Sequence, residues 1–77
     1  MTTRKITVTR DWQQLTDGTQ DTVIQFLHTV ELCRSPGRPG EDAAALRFSR
    51  ETLTLTKPDV VWIRSGCMDG YIPVTVW

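Results

Sequence analysis

The stretch Tyr71-Ile72-Pro73-Val74-Thr75-Val76-Trp77 limits what this chain can fold into more than any other segment. Its period-two alternation and β-branched content read as a strand. Ile72, Val74 and Val76 lie on one face, and Tyr71, Pro73 and Trp77 on the other. A strand apolar on both faces needs cover on both, and 77 residues leave little chain to provide it. Two solutions follow: the strand tucks into the chain's own sandwich, or a neighbouring copy completes it. The second makes Tyr71, Ile72, Val74, Val76 and Trp77 an oligomer interface.

The length predicts one β domain over residues 1–77. Domains of about 60 to 80 residues are marginal unless a disulfide, a metal or oligomerisation staples them. Cys33 and Cys67 allow one intrachain disulfide at most. The opening Met1-Thr2-Thr3-Arg4-Lys5 carries no secretory apolar region, so the expectation is folding in a reducing cytoplasm with both thiols free and buried. There is no Cys-x-x-Cys pair to suggest structural zinc. No metal and no cofactor are expected, which leaves oligomerisation as the staple.

Nine basic residues balance nine acidic ones, for a net charge of zero. General nucleic-acid binders and membrane-surface binders depend on a basic excess, so both are disfavoured. No apolar run approaches the length of a transmembrane helix.

Along the chain, Lys5–Arg10 alternates Ile6 and Val8 against threonines, as a half-buried strand does. Asp11–Leu15 follows as a short extended segment, and Thr16-Asp17-Gly18-Thr19 is a turn. Asp21–Arg34 is ambiguous. Val23, Phe26, Leu27 and Val30 fit a helical stripe with Asp21 as cap. Ile24, Phe26, Val30 and Leu32 fit an alternating face interrupted by His28. The β-branched content favours two strands, Thr22–Leu27 and Thr29–Cys33, bent near His28. Ser35-Pro36-Gly37-Arg38-Pro39-Gly40 is an exposed loop, and Glu41–Ala45 suits a single helical turn. Short strands are expected at Leu46–Phe48 and Thr52–Thr56, with a turn at Ser49–Glu51. Val60–Arg64 reads as the most buried strand, and Ser65–Gly70 as a hairpin loop. Strands at about ten-residue spacing, with turn signals between them, predict an all-β fold: a small antiparallel β-sandwich or barrel of about six to seven short strands.

No residue set announces a chemistry. His28 and Cys33 are separated by an odd number of residues, so on extended chain they face opposite ways and do not form a nucleophile–base pair. Asp17, Asp21, Asp59 and Asp69 fall in turns, where Asp serves the backbone. Gly37 and Gly40, split by Pro39, make no phosphate cradle. No catalytic residue is predicted. Trp62, inside the most apolar run, is expected in the core. Trp12 with Arg10 is the candidate ligand contact, in the manner of aromatic stacking beside a cation. Arg34 and Arg38 read as solvated loop charges.

The order of Trp12-Gln13-Gln14-Leu15-Thr16-Asp17-Gly18, a strand pair, a Pro/Gly loop, Val61-Trp62-Ile63-Arg64-Ser65-Gly66 and a final Val-x-Val strand resembles small all-β proteins encoded in tailed-phage and prophage structural-gene regions. The resemblance implies an accessory virion protein of the capsid-decoration, fibre or tail-associated type. Such a protein is commonly homotrimeric, is made in the host cytoplasm, and is not an enzyme. The expected partners are copies of itself and other virion proteins. Two alternatives remain: a small binding module for nucleic acid or carbohydrate, and a phage-encoded regulator that binds a host protein.

Overall fold

The computed structural model describes residues 3–66 and 70–77. They form one antiparallel sheet of six strands: β1 (Arg4–Val8), β2 (Gln13–Gln14), β3 (Thr22–Arg34), β4 (Leu46–Leu55), β5 (Val61–Ser65) and β6 (Ile72–Val76). The fold is the small all-β type the alternation predicts, and its six strands fall within the expected six to seven.

The sheet order is β1-β6-β3-β5-β2, with β4 on the remaining edge of β3. One edge of β3 carries β4 along almost its whole length. The other edge carries β6 over Ile24–Phe26 and β5 over Val30–Arg34. β1 pairs with β6, and β2 with β5. In effect β5 and β6 are two lengths of one interrupted strand, and so are β1 and β2. The ladder reaches into the second gap, where Ser65 N donates to Thr9 O at 2.7 Å, and runs on past β2, where Leu15 N donates to Val61 O at 2.8 Å.

All four lines of chain are disturbed at the same level. In β3, Leu27 and His28 stand opposite the single residue Arg50 of β4, whose φ is +55°. This two-against-one arrangement is a β-bulge, which bends a strand and increases its twist. The β1–β2 line breaks at Thr9–Trp12, where Asp11 N donates to Thr9 Oγ1. The sheet curls over this common line into two halves. Val8, Ile24, Phe26, Ile72, Val74 and Val76 from one half meet Val30, Leu32, Val61 and Ile63 from the other in a single buried cluster. Burying each such side chain is worth about 1.5–3 kcal/mol.

Residues 22–34 are one bent strand, not a helix, and the bend falls at His28 as the interrupted alternation implies. Two local expectations are corrected. Ser49-Arg50-Glu51 is not a turn between strands: β4 runs through it, with its irregularity at Arg50. Glu41–Ala45 forms no helical turn. It begins with a tight turn in which Ala43 N donates to Gly40 O at 3.2 Å, and no helix occurs among the described residues. The predicted hairpin loop Ser65–Gly70 falls partly outside the described residues, as do Cys67 and Asp69.

Gly18 is one position where only glycine fits well. Its φ is +84°, and a Cβ there would sit 2.7 Å from the Pro58 carbonyl oxygen. Thr16 fixes the same corner. Its Oγ1 donates to Asp59 O at 3.0 Å and accepts from Val61 N at 3.0 Å. Asp21, a candidate helix cap in the sequence, accepts from Lys57 N at 2.9 Å and ties down the β4–β5 connection.

Candidate functional site

Two surface features stand out, one polar and one apolar. The polar feature lies on the outer face of the half built from β2, β5 and the second part of β3. Cross-strand registry creates it: Glu31 of β3 is directly opposite Arg64 of β5 on one side and Arg47 of β4 on the other. Directly opposed side chains on one face interact most strongly when their charges differ. Arg64 Nε donates to Glu31 Oε1 at 2.6 Å, and Arg47 Nη1 is 3.8 Å from Glu31 Oε2.

This row anchors the Pro/Gly loop. The Arg64 guanidinium lies over the Trp12 ring, 4.3 Å from its centre, and its Nη1 donates to Glu41 O at 3.1 Å. Trp12 Nε1 donates to Gly40 O at 2.8 Å, and Pro39 is buried beside them. A cleft of about 820 Å³ remains, lined by Arg10, Arg38, Arg47 and Arg64 together with Asp11, Glu31 and Glu41. Its charges are nearly balanced, four arginines against three carboxylates, and Arg64 and Arg47 share Glu31.

The tryptophans exchange their expected roles. Trp12, the candidate ligand contact, is only 4% exposed, so its ring offers no open face for stacking. Arg10 is exposed and lines the cleft. Trp62, expected in the core, is half-buried on the outer face, where its Nε1 donates to Ser35 O at 3.0 Å. The cause is strict alternation in β5: Val61, Ile63 and Ser65 point inward, while Trp62 and Arg64 point outward.

The C-terminal strand divides similarly. Ile72, Val74 and Val76 are buried in the chain's own core, and Tyr71 and Trp77 are 72% and 75% exposed. β6 has β1 on one edge and β3 on the other, and Trp77 N extends the β3 pairing by donating to Val23 O at 2.8 Å. Among the described residues β6 is thus paired on both edges over residues 74–76, and only Tyr71 and Trp77 of the expected interface set keep an open surface. His28 is exposed in the bulge and Cys33 is half-buried. The two are not brought together with a third titratable partner, and among the described residues no group of three His, Cys, Asp or Glu is placed to hold a metal ion.

The apolar feature is the β4 margin. Among the described residues β4 pairs with β3 alone, which leaves its other edge open over ten residues. Beside it runs a groove of about 500 Å³, lined by Leu46, Phe48, Leu53 and Leu55 among others. Phe48, Leu53 and Leu55 pack partly against the core, and Leu46 is 68% exposed. The sequence shows these residues as two short alternating runs of different parity. The irregularity at Arg50 turns both runs to the same side.

No protein-family model, no curated protein and no solved structure matches this chain.

Proposed function

We propose that this protein is a non-enzymatic structural or accessory subunit that works by associating with copies of itself, in the setting of a phage particle. The observation that carries the self-association is the β4 margin: a ten-residue open strand edge beside a partly covered apolar groove. An unpaired edge presents a row of backbone donors and acceptors, and pairing with another strand satisfies them. Apolar surface beside the edge adds a driving force of about 25 cal/mol per Å² buried. The virion setting rests on the resemblance of the Trp12–Gly18 and Val61–Gly66 segments to tailed-phage accessory proteins.

Sedimentation at micromolar concentration and above tests the self-association, with an oligomer expected. A monomer throughout that range overturns it. Detection of the protein in purified particles tests the setting, and its absence from them rejects the virion role. The binding-module alternative needs an open aromatic face at Trp12, and the burial of that ring removes its main support.

A further inference from the structure

We propose that β4 pairs antiparallel with β4 of a second copy, about a two-fold axis between Arg50 and Glu51. The pairing rests on the self-association reading above and names its geometry.

The first argument is the edge itself. In a strand, successive residues direct their N–H and C=O groups to opposite edges. The bonds from Trp77 N to Val23 O and from Gly66 N to Thr29 O show the outward-facing residues of β3 addressing β6 and β5. The inward-facing Ile24, Val30 and Leu32 therefore address β4, where their partners are Leu53, Phe48 and Leu46. The intervening Arg47, Ser49, Thr52 and Thr54 are left to present their backbone groups at the open edge. None is a proline, so a second strand there could form about eight hydrogen bonds.

The second argument is that β4 is complementary to itself. A two-fold axis between Arg50 and Glu51 sets Leu46 against the partner's Leu55 and Phe48 against the partner's Leu53. It sets Arg50 against the partner's Glu51, and each contact occurs twice. The bend at Arg50 makes this work, since it brings Leu46 and Phe48 to the same face as Leu53 and Leu55 and so places all four on the groove side. Neighbouring registers are worse. Sliding by two residues sets Leu46 against the partner's Lys57 or Phe48 against the partner's Glu51, and sliding by one opposes inward residues to outward ones. Charges on an edge strand commonly guard it against pairing. Here Arg50 and Glu51 guard against other registers and other strands while matching this one. An isologous contact of this kind closes as a dimer and uses the β4 edge of both copies.

A charge exchange tests the proposal. Arg50→Glu and Glu51→Arg each place like charges across the axis twice, and each should weaken self-association by about ten-fold or more. The double variant Arg50→Glu/Glu51→Arg should restore it. Both side chains are exposed, and circular dichroism checks that every variant keeps its β signal. Thr52→Pro removes an N–H that β3 does not use, and should also release monomer. Wild-type protein that sediments as a monomer overturns this pairing together with the reading it rests on. A wild-type oligomer indifferent to the charge variants, a folded double variant that fails to recover, or a trimer overturns the β4 pairing and leaves self-association standing.

Discussion

The guanidinium of Arg64 rests 4.3 Å from the centre of the Trp12 ring, and together these two side chains fasten the Pro/Gly loop to the sheet. Trp12 holds the Gly40 carbonyl and Arg64 the Glu41 carbonyl. A cation over an indole face is worth about 0.5–2 kcal/mol, more as water is excluded. The ring does not wait for a ligand: a residue of its own chain already occupies its cationic partner position.

Trp12→Ala should therefore destabilise the protein by about 3–5 kcal/mol, as removal of a large buried side chain does. Trp62→Ala should cost less, about 1–2 kcal/mol, because that side chain lies on the outer face and is already partly in water. Chemical denaturation measures both. Equal costs would mean that Trp62 shares the core.

Glu31→Gln keeps the shape of the central residue in the three-strand row and removes its charge. Arg64 then loses a charge-assisted bond at a partly buried position, with both side chains about one-fifth exposed. The expected loss is about 1–2 kcal/mol. The more exposed Arg47 contact contributes little. An unchanged melting curve would show the row to be decorative.

Thr16→Val removes the hydroxyl that accepts from Val61 N and donates to Asp59 O. The buried Val61 amide is left without that acceptor, at a cost of about 1–3 kcal/mol. Thr16→Ser keeps the hydroxyl and should recover most of it. If serine and valine destabilise equally, packing and not the bond holds this corner.

Asp17 should titrate below the ordinary range for an aspartate, chiefly because the Thr19 hydroxyl donates to its carboxylate and secondarily because the Thr19 amide does. With the folded-state value depressed, the contribution to stability is present above the unfolded value and is lost as pH falls through the folded one. The group is fully exposed, so solvent screening keeps that contribution small. A carboxyl titration followed by NMR should show the depression, and Thr19→Val should reduce it. A titration that is the same in both proteins would dismiss the hydroxyl as its cause.

Strand positions were legible because alternation is a direct image of the pleat. Ile24, Phe26, Val30 and Leu32 lie on one face as their spacing says, and His28 marks the bend. What the alternation could not show is which runs continue one another. The change of parity between Phe48 and Leu53 fits a turn and a kinked strand equally well, and only the β3 partner decides between them. The exchange of Trp12 and Trp62 had one visible signal. Arg64 shares a face with Trp62, and a charged neighbour two residues away marks the outer side of a strand. The row of Arg47, Glu31 and Arg64 was hidden because it spans three strands, and registry across strands is not written in any single segment.

The common line of interruptions at Thr9–Trp12, Leu27–His28 and Arg50 has a consequence for how the molecule comes apart. Every line of chain that enters one half also enters the other, and the apolar residues of both halves share one buried cluster. Neither half has an inner surface that water would tolerate alone. The halves resemble facing pages of a folded sheet more than two joined blocks. Proteolysis at the crease, or a peptide spanning only one half, should yield no ordered fragment, and melting should pass directly from the closed form to open chain.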